Sequence, residues 1–277
     1  MTAPAADAIE VRSLSSEADY EACLALQLAV WGEDMRECVP PRILKISQQV
    51  GSVAAGGFDT SGRLLGFVWG LTGVRHGRLA HWSHMLGVLP QARDANLGRR
   101  LKLFQRQELL AIGVESVYWT FDPLESRNAH LNFNRLGVEV ERYVEDYYGS
   151  GATSHLHRGL GTDRFIVAWH LRSEKAARAL ADELPGDVAA FEQAPVANSR
   201  LDDDGHPQPV EADPPAAPVV RIEIPARIQD AKAADPEAGA AWRRSTRRVF
   251  EACLGRGQKI EAFYRSPISG RSFYVAC

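Results

Sequence analysis

The sequence predicts a mixed α/β fold, and three observations support this prediction. Short apolar runs alternate with segments of helical periodicity from residue 9 to residue 171. One apolar run passes through a basic, proline-containing loop into a helix at Leu86–Arg100. The composition, with 45% hydrophobic and 24% charged residues, is ordinary for a globular protein. A chain of 277 residues is long enough for one large domain or two small ones.

The first half of the chain begins with a strand and a helix. Ser16, with Asp19 three residues later, has the pattern of a capping box, and Gly32 ends the apolar periodicity of that helix. The residues between Phe58 and Arg63 have the composition of a hairpin turn. The predicted strands are Ile9–Leu14, Ser52–Phe58, Arg63–Leu71 and Leu79–Val88, and two further helices are predicted at Arg42–Val50 and Ala95–Ile112.

The second half continues the alternation as far as Leu171 and resumes it near the C-terminus. A helix is predicted from Ser126 to Gly137 and another at Glu174–Glu183. The predicted strands here are Glu115–Phe121, Val138–Tyr147 and Asp163–Leu171. The tail predicts a helix at Asp235–Cys253 and strands at Val219–Ile224, Ile260–Tyr264 and Ser272–Ala276.

Composition divides the chain into three parts. Residues 8–172 form the first predicted domain. Residues 185–218 contain seven of the fifteen prolines and seven acids against one basic residue, which predicts a disordered linker. Residues 219–277 are predicted to be a C-terminal strand-helix-strand extension that docks on the first domain, because about sixty residues make a marginal independent domain.

The segment Leu86–Arg100 has the pattern of an anion site. The first N–H groups of a helix have no partner within the helix, and the helix dipole favours negative charge there. Arg93, Arg99 and Arg100 add positive charge beside that helix start. The two common glycine-rich phosphate-loop patterns are absent from the sequence.

Two segments together resemble the GNAT acyltransferase superfamily. Arg93–Gly98 is similar to its pyrophosphate loop, [Q/R]-x-x-G-x-[G/A], with Asn96 in place of the first glycine; asparagine tolerates a left-handed backbone. Trp119–Gly137 is similar to the strand, loop and helix that follow in the superfamily, and its wording resembles a bacterial group of predicted acyl-CoA N-acyltransferases. The matching positions of this second segment are Asn128, Ala129, Phe133, Leu136 and Gly137.

The resemblance covers residues 8–172 and implies a central mixed, mostly antiparallel sheet flanked by helices, with the C-terminal α/β extension added. It also implies that acetyl-CoA or another acyl-CoA lies where two parallel strands separate. The fourth strand, His84–Val88, then donates amides to the thioester and the pantetheine arm. Asn128 is expected either to contact that arm or to cap its helix. The expected CoA-binding residues are Leu86, Gly87, Val88, Arg93, Asp94, Ala95, Asn96, Leu97, Gly98, Arg99 and Asn128.

Transfer of an acyl group to an amine needs a base for the amine proton and an acid for the leaving thiolate. His84 is the candidate base, since imidazole titrates near neutral pH; the alternative is a histidine of the core. The superfamily's usual acid is a tyrosine, at a position where this chain has Phe133. Tyr147 is the candidate substitute, with its neighbours Tyr143 and Tyr148 as alternatives. Asp122 and Glu125 could bind or deprotonate the amine, or form the turn around Pro123.

Two further patterns in the sequence, a histidine pair and an arginine cluster, are candidate binding sites. His155 and His157 could share a face, but no cluster of further ligands accompanies them, and no metal is expected. Four arginines on the tail helix could bind a phosphate, a partner or an acidic substrate, or form a solvated face. They are Arg243, Arg244, Arg247 and Arg248.

These observations favour an acyl-CoA-dependent N-acyltransferase that transfers an acetyl or succinyl group to a small-molecule primary amine such as an amino acid. The alternatives are a non-catalytic CoA-binding sensor and a scaffold whose tail mediates association. A net charge of −3 gives no reason to expect nucleic acid, and no apolar run approaches the length of a membrane span. Four scattered cysteines and an N-terminus without a signal-peptide pattern predict a cytoplasmic protein; a homodimer is left open.

Overall fold

The computed structural model describes residues 8–33, 35, 37–149, 159–183 and 186–277. These residues form two compact units. Unit 1 holds the described residues up to Trp119 together with His170–Arg172, and unit 2 holds the other described residues. The division differs from the predicted one, because residues 120–149 belong to the same unit as the C-terminal extension.

Unit 1 is built on a mixed, mostly antiparallel sheet with helices. Its strands follow the order β1-β2-β3-β4-β5. Neighbouring strands from β1 to β4 are antiparallel, whereas β4 and β5 are parallel. This observation confirms the predicted fold class. The elements are β1 (Glu10–Ser13), α1 (Glu17–Trp31), α2 (Pro41–Gln49), β2 (Ala54–Phe58), β3 (Leu64–Arg75), β4 (Arg78–Val88), α3 (Leu97–Ala111) and β5 (Ser116–Phe121), whose last two residues belong to unit 2.

The first helix begins and ends as the sequence predicts. The Ser16 side chain accepts a hydrogen bond from the Asp19 N–H, and the Asp19 side chain accepts one in return from the Ser16 backbone, which completes the capping box. The backbone turns away at Gly32, with φ of 104°. Residues such as Cys23, Leu44 and Phe67 are fully buried in the core that α1 and α2 share with the sheet.

β3 is longer than the predicted strand Arg63–Leu71 and forms a hairpin with β4. The two strands pair as far as Arg75 and Arg78 and are joined at His76 and Gly77, both with positive φ. The register shifts between Trp69 and Leu71, so Gly70 lies at an irregularity in the ladder. A Cβ at Gly70 would lie 2.3 Å from the His81 ring, and this close approach explains the glycine.

Unit 2 contains two antiparallel strand pairs, one of them β8 with β9, a three-stranded sheet and several helices. β6 pairs with β7, and β12 lies between β10 and β11. The helix predicted from Ser126 begins as α4 (Ser126–Ala129), continues as a π-helical turn at His130–Leu136 and ends at Gly137, which has φ of 71°. The other elements are β6 (Glu139–Val144), β7 (Arg164–His170), α5 (Glu174–Leu180), α6 (Val188–Gln193), β8 (Ser199–Leu201), β9 (Pro207–Pro209), β10 (Val220–Ile224), α7 (Ile228–Ala234), α8 (Pro236–Gly255), β11 (Ile260–Arg265) and β12 (Ser272–Ala276).

The segment predicted to be a disordered linker differs from that prediction. Its described part, residues 186–218, contains α6, β8 and β9. Glu211 and Asp213 in this segment form ion pairs with Arg244 and Arg248 of α8. Two of the seven acids that suggested solvation therefore face arginines of the tail helix, a long-range pairing that local composition does not show.

No helix in the described part of the chain is long and apolar enough to cross a membrane.

Candidate functional site

The anion-site segment has the predicted strand, loop and helix order. After β4 the chain makes a 3-10 turn at Pro90–Ala95 and enters α3 at Leu97. Asn96, the residue between them, has φ of 55° and ψ of 22°. This is the left-handed conformation that asparagine adopts more readily than most residues do, as the sequence led us to expect.

The start of α3 carries backbone donors without a side-chain cap. Asn96 makes no capping hydrogen bond, and its side chain is exposed. The first backbone N–H bonded to the Asn96 carbonyl is that of Arg100, at 3.2 Å. The first turn of a 15-residue helix therefore presents donors and the positive end of its dipole to an anion.

Packing fixes the position of this helix start. Leu97 is fully buried, and it enters the space left by two glycines of the sheet. A Cβ at Gly57 or at Gly66 would lie 2.5 Å or 3.0 Å from the Leu97 side chain. On the same helix, Arg100 donates from Nη2 to the Ile9 carbonyl at 2.5 Å. The first turn of α3 is thus held against β1, β2 and β3.

Three arginines lie in the loop or in the first turn of α3 that follows it. Arg93 is exposed and donates from Nε to the Val88 carbonyl at 3.4 Å, whereas Arg99 and Arg100 are half-buried. The arginine charges and the helix dipole have the same sign, so the loop suits a diphosphate or another compact anion.

The parallel ladder between β4 and β5 is short. Within unit 1 it consists of His81 opposite Val117 and Trp82 opposite Tyr118. β4 continues to Val88 and stays paired with β3 over this length, as at Leu86 opposite Val68. The expected CoA-binding residues Leu86, Gly87 and Val88 therefore lie in the part of β4 beyond its ladder with β5.

His84 lies on the exposed face of β4. Its ring contacts Trp69 edge to face at 5.7 Å, and the Trp69 indole donates to the Ser47 hydroxyl at 3.0 Å. The surrounding protein excludes part of the water and lowers the pKa of His84 below its ordinary value, and the charge of Glu37 acts weakly in the opposite direction. His84 is therefore neutral near pH 7 and able to accept a proton. The alternative role as a core histidine does not match this exposure.

The core histidine of this strand is His81, on the opposite face. It belongs to a buried group that we call the Lys102 cluster, which consists of Thr72, His81, Ser83, Lys102 and Gln105. The Lys102 ammonium donates to the Ser83 hydroxyl at 2.7 Å and to Gln105 Oε1 at 3.3 Å. The His81 ring joins Gln105 Nε2 at 3.1 Å to Thr72 Oγ1 at 2.9 Å.

Burial shifts both titratable groups of the Lys102 cluster. Loss of hydration, with a contribution from the nearby Lys102 charge, lowers the pKa of His81 to about 3. Loss of hydration alone lowers the pKa of Lys102 to about 7. Sequence reasoning missed both residues. The available signal was Lys102 and Gln105 on the same helix face as Leu101 and Leu109, which are buried.

Asp122, in unit 2, has the structural role rather than the amine-binding one. Its carboxylate accepts from the Leu124 N–H at 2.9 Å, which is the turn around Pro123, and from Arg243 Nη2 at 2.6 Å. Burial acts to raise its pKa, but the charges of Arg243 and Arg164 outweigh burial and hold the pKa below its ordinary value. Asp122 is a buried, paired carboxylate.

Glu125 is different, because it is half-buried and pairs with an amide. Its Oε1 accepts from Gln229 Nε2 at 2.7 Å. Burial raises the pKa of Glu125, and the hydrogen bond from Gln229 only partly opposes this shift. Of the two acids, Glu125 is therefore the one with a raised pKa, whereas the pKa of Asp122 is lowered.

The tyrosine candidates have distinct surroundings in unit 2. Tyr143 is half-buried and donates its hydroxyl to Asp163, and loss of hydration raises its pKa. Tyr147 is 38% exposed, and its ring contacts Tyr148 at 4.8 Å. The Tyr148 hydroxyl lies 3.1 Å from Thr120 Oγ1, at the end of β5. Phe133 is buried against the Tyr274 ring at 5.6 Å.

The remaining candidates fall into three groups. Asn128 lies within α4 and is exposed, so it does not cap that helix. His155 and His157 lie outside the described residues, and among the described residues no group of three or more His, Cys, Asp or Glu could hold a metal ion. The arginines Arg243, Arg244, Arg247 and Arg248 of α8 each pair with a carboxylate of this chain.

Comparison with known proteins gives similarity in structure. No family model matches the chain, and no curated protein matches it. The ribosomal-protein-S18-alanine N-acetyltransferase from Escherichia coli is similar, with a TM-score of 0.46 and 16% identity over 60% of this chain and 95% of that chain. The aminoglycoside 6'-N-acetyltransferase from Enterococcus faecium has a TM-score of 0.45 and 14% identity over 60% of this chain and 98% of that chain. A chain of the NatC complex bound to Gag peptide and CoA has a TM-score of 0.47 and 14% identity over 58% of this chain and 98% of that chain.

Proposed function

We propose that the chain is an acyl-CoA-dependent N-acyltransferase. The observation that carries the proposal is the uncapped start of α3, which follows β4 after one 3-10 turn, together with the extension of β4 beyond its parallel ladder with β5. A strand edge offers amides to an extended arm, and the helix start offers donors to a diphosphate. Acyl-CoA is a ligand that combines these two parts.

The proposed binding residues follow from this arrangement. The amides of the segment Arg93–Arg99, with Asp94, Ala95, Asn96, Leu97 and Gly98 between its ends, receive the diphosphate. The free edge at Leu86, Gly87 and Val88 receives the pantetheine arm and the thioester carbonyl. Gly87 faces the core, where a Cβ would lie 3.0 Å from Phe67 and 3.1 Å from Trp31. Asn128 of unit 2 stays a proposal for the same arm.

In the proposed reaction the neutral amine attacks the thioester carbon. A C–N bond forms, the carbonyl oxygen becomes negative, and an amide donor near it stabilises this charge in the transition state. The C–S bond then breaks and leaves CoA thiolate. His84 takes the proton from the amine, which its lowered pKa allows. A tyrosine of unit 2 gives a proton to the thiolate; Tyr147 is our first candidate and Tyr148 the second.

The proposed acceptor is a small-molecule primary amine, such as an amino acid. The similar proteins are named for different acceptors, an aminoglycoside in one case and a ribosomal-protein alanine in another. The acceptor is therefore tested with a panel that includes both small amines and peptides with a free N-terminus. A cytoplasmic location is part of the proposal and agrees with four free cysteines in the described structure.

Release of CoA thiol from acetyl-CoA and succinyl-CoA over this panel tests the activity. The wild type is expected to release thiol only in the presence of an accepted amine. His84→Gln is expected to lower the rate by about 100-fold, the usual contribution of a general base. Arg93→Glu is expected to raise the KM for acyl-CoA, and Arg63→Glu, which changes another exposed arginine of unit 1, serves as its matched control. Acceptor-independent release at the same rate contradicts the proposal.

A second candidate function is CoA binding without turnover. It is favoured by Phe133, which occupies the position of the usual acid and packs against Tyr274. This candidate predicts that CoA binds and that no acceptor in the panel gives thiol release. If the chain only binds CoA, Tyr147→Phe and Tyr148→Phe each leave the CoA affinity unchanged, and no thiol release is measured for any variant. If the chain is an enzyme, one of these two substitutions lowers the rate of thiol release.

A further inference from the structure

We propose that Lys102 is a positioning residue of the acyl-CoA site, which fixes the point where β4 and β5 separate. The inference rests on the proposed function. It concerns a residue outside the phosphate-binding loop, on the sheet-facing side of α3.

The Lys102 ammonium lies beside the point where the ladder of β4 and β5 ends. The last ladder pair of β4 and β5 is Trp82 with Tyr118, so the next residues along each strand are Ser83 and Trp119. Lys102 Nζ lies 2.7 Å from the Ser83 hydroxyl and 3.8 Å from the centre of the Trp119 ring. One ammonium group thus contacts the first residue of each strand beyond the ladder.

Lys102 is buried, and no carboxylate of the described residues compensates its charge. Lys102 is 2% exposed. No carboxylate of the described residues forms an ion pair with it, and its hydrogen-bond partners are a hydroxyl and an amide oxygen. Lysine is seldom fully buried unless it is paired, because an unpaired buried charge is costly. Stability alone therefore does not account for a lysine at this position.

The rest of the Lys102 cluster holds the ammonium in place. The Ser83 hydroxyl donates to Gln105 Oε1 at 2.9 Å, and Gln105 Nε2 donates to the His81 ring. The Thr72 hydroxyl donates to the Gly51 carbonyl at 2.8 Å, so it accepts from the other ring nitrogen of His81. Each of these four hydrogen-bond donors has a defined acceptor. Lys102 Nζ is confined between Ser83 and Trp119.

The consequence for the site is specific. With the ammonium in place, Ser83 and Trp119 are kept apart by a group that contacts both. An apolar chain of similar length keeps the volume but loses the bond to Ser83 and the attraction to the Trp119 ring. The free edge of β4 is then less well placed for the arm of acyl-CoA, although the fold of unit 1 is unharmed.

Calorimetric titration of CoA into the full-length chain, with thermal unfolding of the same samples, tests this role. Lys102→Met is expected to bind CoA about tenfold more weakly, which corresponds to about 1.4 kcal/mol, and to unfold at the same or a higher temperature. Lys102→Gln can still donate to Ser83 and is expected to recover most of that affinity. Lys45→Met, which changes an exposed lysine of α2, is the matched control.

Each outcome decides one question. Equal CoA affinity of wild type and Lys102→Met overturns the positioning role while the proposed function stands. Joint loss of affinity and thermal stability in Lys102→Met assigns the residue a structural role and also overturns it. If Lys102→Met does not fold, Ser83→Ala replaces it, and unchanged CoA affinity of Ser83→Ala overturns the proposal. No CoA binding by the wild type refutes the proposed function itself.

Discussion

Each unit buries a cation, and the two cations have opposite surroundings. In unit 2, Arg243 is 3% exposed and donates to the Asp122 carboxylate at 2.6 Å. In unit 1, Lys102 is 2% exposed and donates only to neutral oxygens. One positive charge is compensated within the chain, and the other is held by dipoles and an aromatic face.

The difference separates a structural charge from a candidate functional one. Breaking a buried ion pair leaves its partner uncompensated and is strongly destabilising. Removing a buried charge that has no counter-charge takes away a desolvation penalty, so the protein gains stability or loses little. Arg243 is therefore part of what holds unit 2 together, whereas Lys102 is retained in the described structure at a cost in stability.

The largest expected effect is the loss of Arg243. Arg243→Leu leaves Asp122 buried, with the Arg164 guanidinium 3.7 Å away as its remaining ion-pair partner. We expect the free energy of unfolding to fall by about 3–5 kcal/mol, as is usual when one partner of a buried pair is removed. Urea unfolding measures it. Arg244→Leu, one position along α8, breaks exposed ion pairs and is expected to cost at most about 1 kcal/mol; equal losses for the two variants contradict this interpretation of Arg243.

The next effect tests how rigid the Lys102 cluster is. Gly70→Ala places a methyl group 2.3 Å from His81 Nε2 and 2.3 Å from the Trp82 carbonyl oxygen. Because backbone and a hydrogen-bonded ring must both move, we expect a loss of about 1–3 kcal/mol. Chemical denaturation of Gly70→Ala beside Gly73→Ala, where a Cβ has no atom within 4 Å, measures it. If Gly70→Ala does not lower the free energy of unfolding, the Lys102 cluster is not rigid and rearranges around the added methyl group.

A smaller effect concerns the pH dependence of stability. The pKa of Lys102 is about 7 in the folded chain and about 10.5 when unfolded. Between these values the unfolded state binds more protons, so the wild type gains stability as pH rises, by at most about 1.4 kcal/mol per pH unit from this group. Below pH 7 both states are protonated and the penalty is complete.

Lys102→Met removes this contribution. The difference in unfolding free energy between Lys102→Met and wild type is expected to be largest near pH 7 and to shrink toward pH 9. Denaturation at pH 7, 8 and 9 measures it, with Lys45→Met as the control. A difference that is independent of pH shows that Lys102 keeps an ordinary pKa in the folded chain.

The smallest effect is at Glu125. Its pKa is raised in the folded chain, chiefly by burial, so the folded state binds more protons and stability is lost as pH rises through that pKa. Glu125→Gln removes the titration, and we expect a gain below about 1 kcal/mol at pH 7 and none well below the ordinary pKa of glutamate. Thermal unfolding at pH 4 and pH 7 decides, and a variant less stable than wild type at pH 7 contradicts the shift.

Local patterns were enough to predict the fold of unit 1. The capping box at Ser16 and the left-handed Asn96 depend on residues close together in sequence, and both are present in the structure, whereas β3 ends at Arg75 and not at the predicted Leu71. The segment 185–218 was different. Its acids looked like the composition of a solvated linker, but Glu211 pairs with Arg244, 33 positions away. Composition cannot show which distant charge a side chain meets.

The local structure of the candidate site could be predicted only where its sequence pattern is contiguous. The loop Arg93–Gly98 and the strand that leads to it could be found by reading along the chain. The Lys102 cluster joins β3, β4 and α3, and no short window of sequence contains Thr72, His81 and Lys102. Asp122 and Glu125 looked equivalent in sequence, yet the structure gives one of them two arginines and the other an amide. Charge pairing of this kind depends on the tertiary structure.

The central claim is that the start of α3 binds the diphosphate of acyl-CoA. Thermal unfolding with and without CoA tests it most directly, since a ligand at 100 times its dissociation constant adds about 2.7 kcal/mol. For a chain of this size we expect the melting temperature to rise by roughly 5–10 °C, and Arg93→Glu to reduce the rise while Arg63→Glu keeps it. An unchanged melting temperature of the wild type at millimolar CoA contradicts the claim.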